Sequence, residues 1–233
     1  RFWTVRPNQT VLATGALERH FAFGDNDRPG IMSASAGRAY VNRYAVLPGQ
    51  SLVVATTNDS AYDAAFDLKS AGAQVQLLDT RLAPPEALVT RAQDYGIEVL
   101  AATAPLKTMG AKGISGIDLV VRSGDSWVKG PSVACDGLMV SGGWSPVVNL
   151  QSHRGVKPIW PNDDQCFLPG QSDEVLAVIG SAAGHWNMED CATSGVAAGE
   201  AAAVATGAKK QAKSMPVRQC YDNAIDAVKE QLT

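Results

Sequence analysis

An apolar stretch, a helical pattern and a second apolar stretch follow one another between residues 52 and 79. The first stretch covers residues 52–55 and the second covers residues 74–79. Between them, small and apolar residues recur at spacings of three and four, the period of a helix that buries one face: Ala61, Ala64, Ala65, Leu68 and Ala71. A strand, a helix and a second strand of these lengths predict a βαβ unit with parallel strands, the core of a dinucleotide-binding domain.

The turn between the first strand and the helix lacks the glycines that usually bring its backbone close to a pyrophosphate. It reads Thr-Thr-Asn-Asp-Ser-Ala-Tyr over residues 56–62, and Asp59 adds negative charge where an anion would lie at the helix N-terminus. Thr57 and Asn58 are the candidate cofactor contacts of this turn, and Asp79 lies at the strand end where a ribose is usually bound. Two interpretations stay open, a nucleotide site of unusual sequence and a nucleotide fold kept as a scaffold.

Two further predicted strands run into small residues, one over residues 10–15 and one over residues 173–184. Small residues at a strand end let a cofactor lie against the backbone, and the helix predicted to begin at Asn187 or Glu189 offers free N–H groups. The candidate cofactor contacts at these two strand ends are Ala13, Thr14, Gly15, Gly180, Ser181 and Gly184.

The order of these patterns predicts an α/β chain with two nested Rossmann-like dinucleotide-binding domains of the flavin disulfide-reductase type. Residues 37–130 form the predicted inserted domain, which closes with a β-meander between residues 110 and 130. Residues 1–36 and 131–233 form a discontinuous outer domain that is incomplete in this sequence. The outer domain also contains a predicted strand over residues 2–6 and a predicted polar helix within residues 209–233.

Composition and residue spacing exclude several classes of function. The net charge is −3 and no run approaches the roughly twenty apolar residues of a membrane-spanning helix, so we expect neither nucleic acid nor a membrane as a partner. The four cysteines form no CxxC pair, which argues against a metal site and favours reduced thiols in the cytoplasm. The three histidines are scattered without an obvious acidic or nucleophilic neighbour, so the sequence offers no catalytic residue.

Three combinations of residues are more specific than the glycine motifs, namely NDRPG at 26–30, TTNDSAY at 56–62 and SGGWSP at 141–146. With their flanking sequence they strongly resemble the α subunit of heterotetrameric sarcosine oxidase, and the resemblance covers most of the 233 residues. In that family the unusual turn at 56–62 is itself typical. The resemblance implies a much longer subunit of which this chain is a central fragment.

The resemblance also implies a reaction and its cofactors. Such enzymes demethylate sarcosine oxidatively to glycine and pass the methylene group to tetrahydrofolate, which a C-terminal domain outside this sequence would bind. FAD and FMN belong to the complex, NAD belongs to the full-length α subunit, and the partners are the β, γ and δ subunits. Ser181 stands where flavin-binding relatives commonly carry an Asp, which argues against ordinary FAD binding at this edge and leaves NAD or a vestigial site open. We expect no cofactor on the fragment itself.

The resemblance assigns no catalytic role to this chain, and it leaves alternatives. Glu18, Arg19, Asp27 and Arg28 are predicted to form an ion-pair network that fixes a loop. A subunit of an opine, hydroxyproline or cyanide-forming flavin dehydrogenase would share the same two-domain body. A non-catalytic assembly scaffold would account for the crowded turn and the lack of reactive side chains.

Overall fold

The structure is a computed structural model that describes residues 1–171 and 175–207. The chain divides into two compact units. The outer unit contains Arg1–Leu17 and the residues from Ser145 onward, and the inner unit contains Glu18–Trp144. The chain enters the inner unit once and leaves it once, which is the nested arrangement that the sequence predicts.

The described elements follow in chain order. They are β1 (Thr10–Leu12), β2 (Ala16–Glu18), β3 (Ile31–Ser33), α1 (Ala34–Tyr44), β4 (Ser51–Thr56), α2 (Ser60–Ser70), β5 (Gln74–Asp79), α3 (Glu86–Asp94), β6 (Glu98–Leu100), β7 (Thr103–Met109), β8 (Gly116–Ser123), β9 (Ser126–Val133), β10 (Gly137–Ser141), β11 (Trp144–Pro146), α4 (Asn149–Ser152), β12 (Leu176–Val178) and α5 (Met188–Ala205). A 3-10 turn at Gly180–Ala183 precedes α5.

The inner unit is built on a parallel sheet with the strand order β3-β10-β4-β5-β6. The predicted βαβ unit is confirmed as β4, α2 and β5, and the two strands pair from Ser51 opposite Gln74 to Thr56 opposite Asp79. Strands β7, β8 and β9 form a separate antiparallel meander. The sequence predicts this meander for residues 110–130, and in the structure it begins earlier, at Thr103.

The central strand β4 is buried on both faces because helices lie on one side of the sheet and the meander lies on the other. Leu52 and Val54 pack in one apolar cluster with Tyr62, Leu68 and Leu77. Val53 and Ala55, the alternate residues of β4, point to the opposite face of the sheet. There they pack in a second cluster with Ile117 and Leu119 of the meander. Both apolar clusters of the described residues therefore lie in the inner unit.

The inner unit is wider than the predicted insert at 37–130. Strands β3 and β10, which the sequence analysis assigns to the outer domain at 1–36 and 131–233, are hydrogen-bonded members of the inner sheet. Leu138 and Val140 are fully buried there. The apolar run of β10 identifies a strand but carries no local information about which strand it pairs with.

The outer unit contains a parallel pair of strands, β1 with β12. Helix α5 begins at Met188 after the N-cap residue Asn187. The strand predicted at residues 2–6 is wrong, since this segment has no regular structure and Phe2 and Trp3 are exposed. Alternating residues form a strand only where another strand is available for pairing. The polar helix predicted within residues 209–233 lies outside the described residues.

Candidate functional site

The carboxyl ends of β1 and β12 meet at one edge of the outer unit because the two strands are parallel. The Ile179 N–H donates to the Leu12 carbonyl at 2.9 Å and extends the pairing past the end of β12. The segments that follow are neighbours, and a Cβ added to Gly15 would lie 3.9 Å from the Ser181 Oγ. The structure thus brings together the two predicted groups of cofactor contacts, Ala13, Thr14 and Gly15 with Gly180, Ser181 and Gly184.

Backbone conformation explains the glycines at this edge, which we name the outer edge. Gly15, Gly180 and Gly184 have φ angles of +74°, +64° and +86°, in the left-handed region that favours glycine. The Gly180 N–H donates to the Ser194 Oγ at 3.2 Å, and the Thr14 hydroxyl donates to the Val147 carbonyl at 2.9 Å. These two hydrogen bonds therefore fix the conformation of the loops that follow β1 and β12.

The start of α5 is poorly suited to a phosphate. The Asn187 Oδ1 accepts a hydrogen bond from the Asp190 N–H at 2.8 Å, and the Asn187 amide donates to the Asp190 carboxylate at 2.6 Å. Glu189 and Asp190 also bring two acidic side chains to the first turn, where they interact favourably with the helix dipole. The acidic, capped start of α5 therefore opposes a phosphate at this position.

The second candidate region lies at the carboxyl ends of β4, β5 and β10 in the inner unit, and we name it the inner crevice. In a GxGxxG turn, the first glycine allows the tight turn, the second lets the backbone approach the pyrophosphate, and the third allows close packing of the helix on the sheet. Counting from the last residue of β4, these positions hold Thr56, Asn58 and Ala61. Only Ala61, which is 1% exposed, suits its position.

The turn that follows β4 is filled by its own hydrogen bonds. The Asn58 Nδ2 donates to the Ser141 Oγ at 3.0 Å, and the Asn58 Oδ1 accepts from the Ser60 N–H and hydroxyl at 3.1 and 2.6 Å. The Trp144 indole N–H donates to the Ser60 Oγ at 2.9 Å. The Thr57 N–H donates to the Ser141 carbonyl at 3.0 Å. A phosphate would compete with the chain itself for these donors.

Asp79 is fully buried, and its carboxylate is occupied by neighbouring side chains. It accepts from the Tyr62 hydroxyl at 2.9 Å and from the Arg81 backbone N–H, Nε and Nη2 at 3.0, 3.0 and 2.7 Å. The Arg81 Nη1 donates to the Asp59 carboxylate at 2.6 Å. A ribose hydroxyl would have to displace these donors from Asp79.

The electrostatics of this cluster fix the protonation of two of its members. Burial and the Asp79 carboxylate raise the pKa of Tyr62 above its ordinary range, so the phenol stays protonated and donates. The hydrogen bond with Asp79 raises the pKa of Arg81 despite the opposing effect of burial. The predicted contacts of Thr57, Asn58 and Asp79 with a nucleotide stay predictions, and the hydrogen bonds described here oppose them.

The Gly142-Gly143 pair serves contacts within the inner unit. A Cβ on Gly142 would lie 3.1 Å from the Arg19 carbonyl oxygen and 3.2 Å from the Phe21 ring. The Gly142 N–H donates to that carbonyl at 2.6 Å, and the Arg19 N–H donates to the Gly143 carbonyl at 2.8 Å. The glycines thus allow close approach of the chain's own backbone.

Glu18 and Arg28, two members of the predicted ion-pair network, have other partners in the structure than those predicted. The Glu18 carboxylate accepts from the Ser35 N–H at 2.8 Å, near the start of α1. Arg28 pairs with Asp25 at 3.6 Å and donates to the Thr108 hydroxyl at 3.2 Å and to the Gly110 carbonyl. These groups fix loops, as predicted, but through backbone and hydroxyl partners that sequence spacing does not reveal.

The described thiols and histidines form no metal-binding group. Cys135 and Cys166 are buried, and burial raises the pKa of the Cys135 thiol to about 11. Cys191 donates to the His185 carbonyl at 3.2 Å. Within residues 1–171 and 175–207, no three His, Cys, Asp or Glu side chains are grouped so as to hold a metal ion. None of the helices described in that range is long and apolar enough to cross a bilayer.

Comparison with known proteins decides the relationship. No family model matches the chain. It is 39% identical over 204 residues to the sarcosine oxidase subunit alpha of Rhizobium meliloti (strain 1021), covering 86% of this chain and 20% of that subunit. It is 37% identical over 216 residues to the subunit alpha of Corynebacterium sp. (strain P-1), covering 91% of this chain and 22% of that subunit. The resemblance to sarcosine oxidase alpha subunits is confirmed.

A solved structure supports the fold. The thioredoxin reductase of T. acidophilum superposes with a TM-score of 0.62 at 16% identity, covering 84% of this chain and 63% of that one. The chain therefore has the predicted α/β fold of the flavin disulfide-reductase type, and it spans about a fifth of the length of the sarcosine oxidase alpha subunits it matches.

Proposed function

We propose that this chain is the central nucleotide-binding region of a sarcosine oxidase-like α subunit. In the complete enzyme, sarcosine is oxidatively demethylated to glycine by FAD and FMN of the complex, and the methylene group passes to tetrahydrofolate on a C-terminal domain. The partners are the β, γ and δ subunits, and the complex is cytoplasmic. The observation that carries the proposal is 39% identity over 86% of the chain.

The contribution of this chain is to hold NAD in the full-length subunit. NAD, when bound, is a carrier of hydride. At the outer edge, Gly15 and Gly180 leave the backbone uncovered, Gly184 lets the chain pack against Leu168, and Ser181 adds a neutral hydroxyl. None of the six outer-edge residues is an acid, a base or a strong nucleophile, so the oxidation of the amine is left to the flavins. The isolated chain is expected to bind no cofactor.

The test of the NAD contact uses the complete protein purified with its partner subunits. Gly180→Val forces a β-branched residue into the left-handed region at the outer edge, which costs about 1–3 kcal/mol of backbone strain and reshapes the loop. We expect the NAD released on denaturation to fall at least tenfold per subunit while the flavin content stays. Gly155→Val is the matched control, since Gly155 has a φ of +86° in the same unit and open space around it. Equal loss of NAD in both variants contradicts the contact.

The test of the reaction is independent of the outer edge. The same preparation should release hydrogen peroxide with sarcosine as the substrate. A preparation with full flavin content that forms no peroxide from sarcosine contradicts the proposed reaction. Oxidation of an opine or of hydroxyproline with a dye acceptor, without peroxide, would identify the dehydrogenase alternative instead.

A further inference from the structure

We propose that the inner crevice is closed to dinucleotides by the chain's own side chains, and that its turn works as a latch. The latch consists of Thr56, Asn58, Ser60, Ser141 and Trp144. It joins the turn between β4 and α2 to the end of β10 and to the residues that leave the inner unit. This inference concerns the inner unit alone and does not depend on the proposed substrate.

Three backbone donors of the turn are already used. A pyrophosphate at this place is held by N–H groups of the turn and of the first helical residues. Here the Thr57 N–H donates to the Ser141 carbonyl, the Asn58 N–H donates to the Thr56 Oγ1 at 3.0 Å, and the Ser60 N–H donates to the Asn58 Oδ1. The Asn58 side chain thus makes four hydrogen bonds, to Ser141 and Ser60, in the space where a glycine would admit a phosphate.

The charges at the crevice are also matched internally. Asp59, at the N-cap position of α2, would repel a phosphate, and its carboxylate is paired with Arg81. The Arg81 guanidinium lies between Asp59 and the buried Asp79, at 2.6 and 2.7 Å. Arg81, which could attract a 2′-phosphate, is therefore already paired with Asp79. Asp79 in turn could otherwise bind a ribose hydroxyl.

The hydrogen bonds of the latch replace those that a ligand would make. The bonds from Asn58 to Ser141 and from Trp144 to Ser60 join residues that are 83 and 84 positions apart in the sequence. They fasten the carboxyl end of β10, and the chain that follows it, to the first turn of α2. In a dinucleotide-binding domain whose turn carries the usual glycines, the dinucleotide would bridge the same carboxyl ends of the sheet.

The test uses the complete protein with its partner subunits, with NADH and NADPH as probes at about 1 mM, a concentration that detects even millimolar affinity. Hydrogen exchange is read in peptides that cover residues 56–62 and 79–81. We expect neither probe to slow exchange in these peptides. Slowed exchange there with either probe overturns the proposal, whatever happens at the outer edge.

A double variant tests whether the side chains of the turn are what closes the crevice. Thr56→Gly with Asn58→Gly creates Gly-x-Gly-x-x-Ala and frees the N–H groups of residues 58 and 60, because the replaced side chains are their acceptors. We expect NADH to slow exchange in the 56–62 peptide of the double variant but not in that of the wild type. A folded double variant in which NADH does not slow this exchange overturns the proposal.

A milder variant tests the latch if the double variant does not fold. Trp144→Phe keeps an aromatic ring and removes only the indole donor to Ser60. Without any ligand, exchange in the 56–62 peptide should become at least threefold faster. Trp127→Phe is the control, because Trp127 is a half-exposed residue of β9 with no role in the latch. Unchanged exchange in Trp144→Phe overturns the latch. The peroxide and NAD assays above report on the proposed function separately.

Discussion

At the scale of single residues, the most constrained group is the Asp79 carboxylate. It has no exposed surface and accepts four hydrogen bonds, one from Tyr62 and three from Arg81. A buried charge is tolerated only when it is paired and hydrogen-bonded in this way. Tyr62 and Arg81 therefore act as structural partners that keep an ionised group inside the carboxyl edge of the sheet.

Tyr62→Phe is predicted to destabilise the inner unit by about 1–3 kcal/mol, since it removes one donor from a buried carboxylate. The free energy of unfolding can be measured by pulse proteolysis in urea, read from peptides of residues 51–79. Tyr40→Phe is the control, because Tyr40 is 44% exposed. Equal effects of the two substitutions would mean that the bond to Asp79 contributes nothing.

The same variant has a pH signature with a defined sign. The folded protein raises the pKa of Tyr62 above its ordinary value of 10.0. The unfolded chain therefore loses the phenol proton first, and the stabilisation from Tyr62 is present below pH 10 and is lost as the pH rises toward the folded pKa. The wild type should lose stability more steeply above pH 10 than Tyr62→Phe does.

At the scale of elements, local pattern predicts β4, α2 and β5 well because their apolar residues repeat at the strand and helix periods. The same pattern places Thr57, Asn58 and Asp79 at the carboxyl edge of the sheet. It does not reveal Arg81 as the partner of Asp79, nor Trp144 as the partner of Ser60. Pairing partners such as β10 for β3 lie far away in sequence and are decided by the fold.

Helix packing gives a second prediction at this scale. Helix α1 lies so close to the sheet that a Cβ on Gly37 would be 2.6 Å from the Met139 sulfur. Gly37→Ala should therefore cost about 1–3 kcal/mol through overpacking, although alanine is the better helix former. Gly199→Ala in α5 has open space and should stabilise its helix by about 0.5–1 kcal/mol. Amide exchange within each helix measures both effects, and the same sign at both sites would refute the packing argument.

At the scale of the whole molecule, the two units differ in how they are stabilised. Both apolar clusters of the described residues lie in the inner unit, where the sheet is covered on both faces. In the outer unit, β1 and β12 form a two-stranded parallel sheet, and α5 has no fully buried residue. A parallel pair of strands needs cover on both faces. The two large apolar clusters thus stabilise the inner unit, whose carboxyl edge the latch closes, whereas the outer unit buries only scattered apolar residues such as Leu176 and Ala182.

Leu77→Ala tests whether the inner unit is an independent cooperative unit. Leu77 is fully buried in the cluster under the helices, and its truncation should cost about 2–5 kcal/mol. Native-state hydrogen exchange of the complete protein should show this loss in the amides of β4 and β5 and leave those of β1 and β12 unchanged, because local units open separately. Leu17→Ala is the control, since Leu17 is 68% exposed and should change neither set by more than about 0.5 kcal/mol. An equal loss in β12 and in β4 would mean that the two units unfold as one.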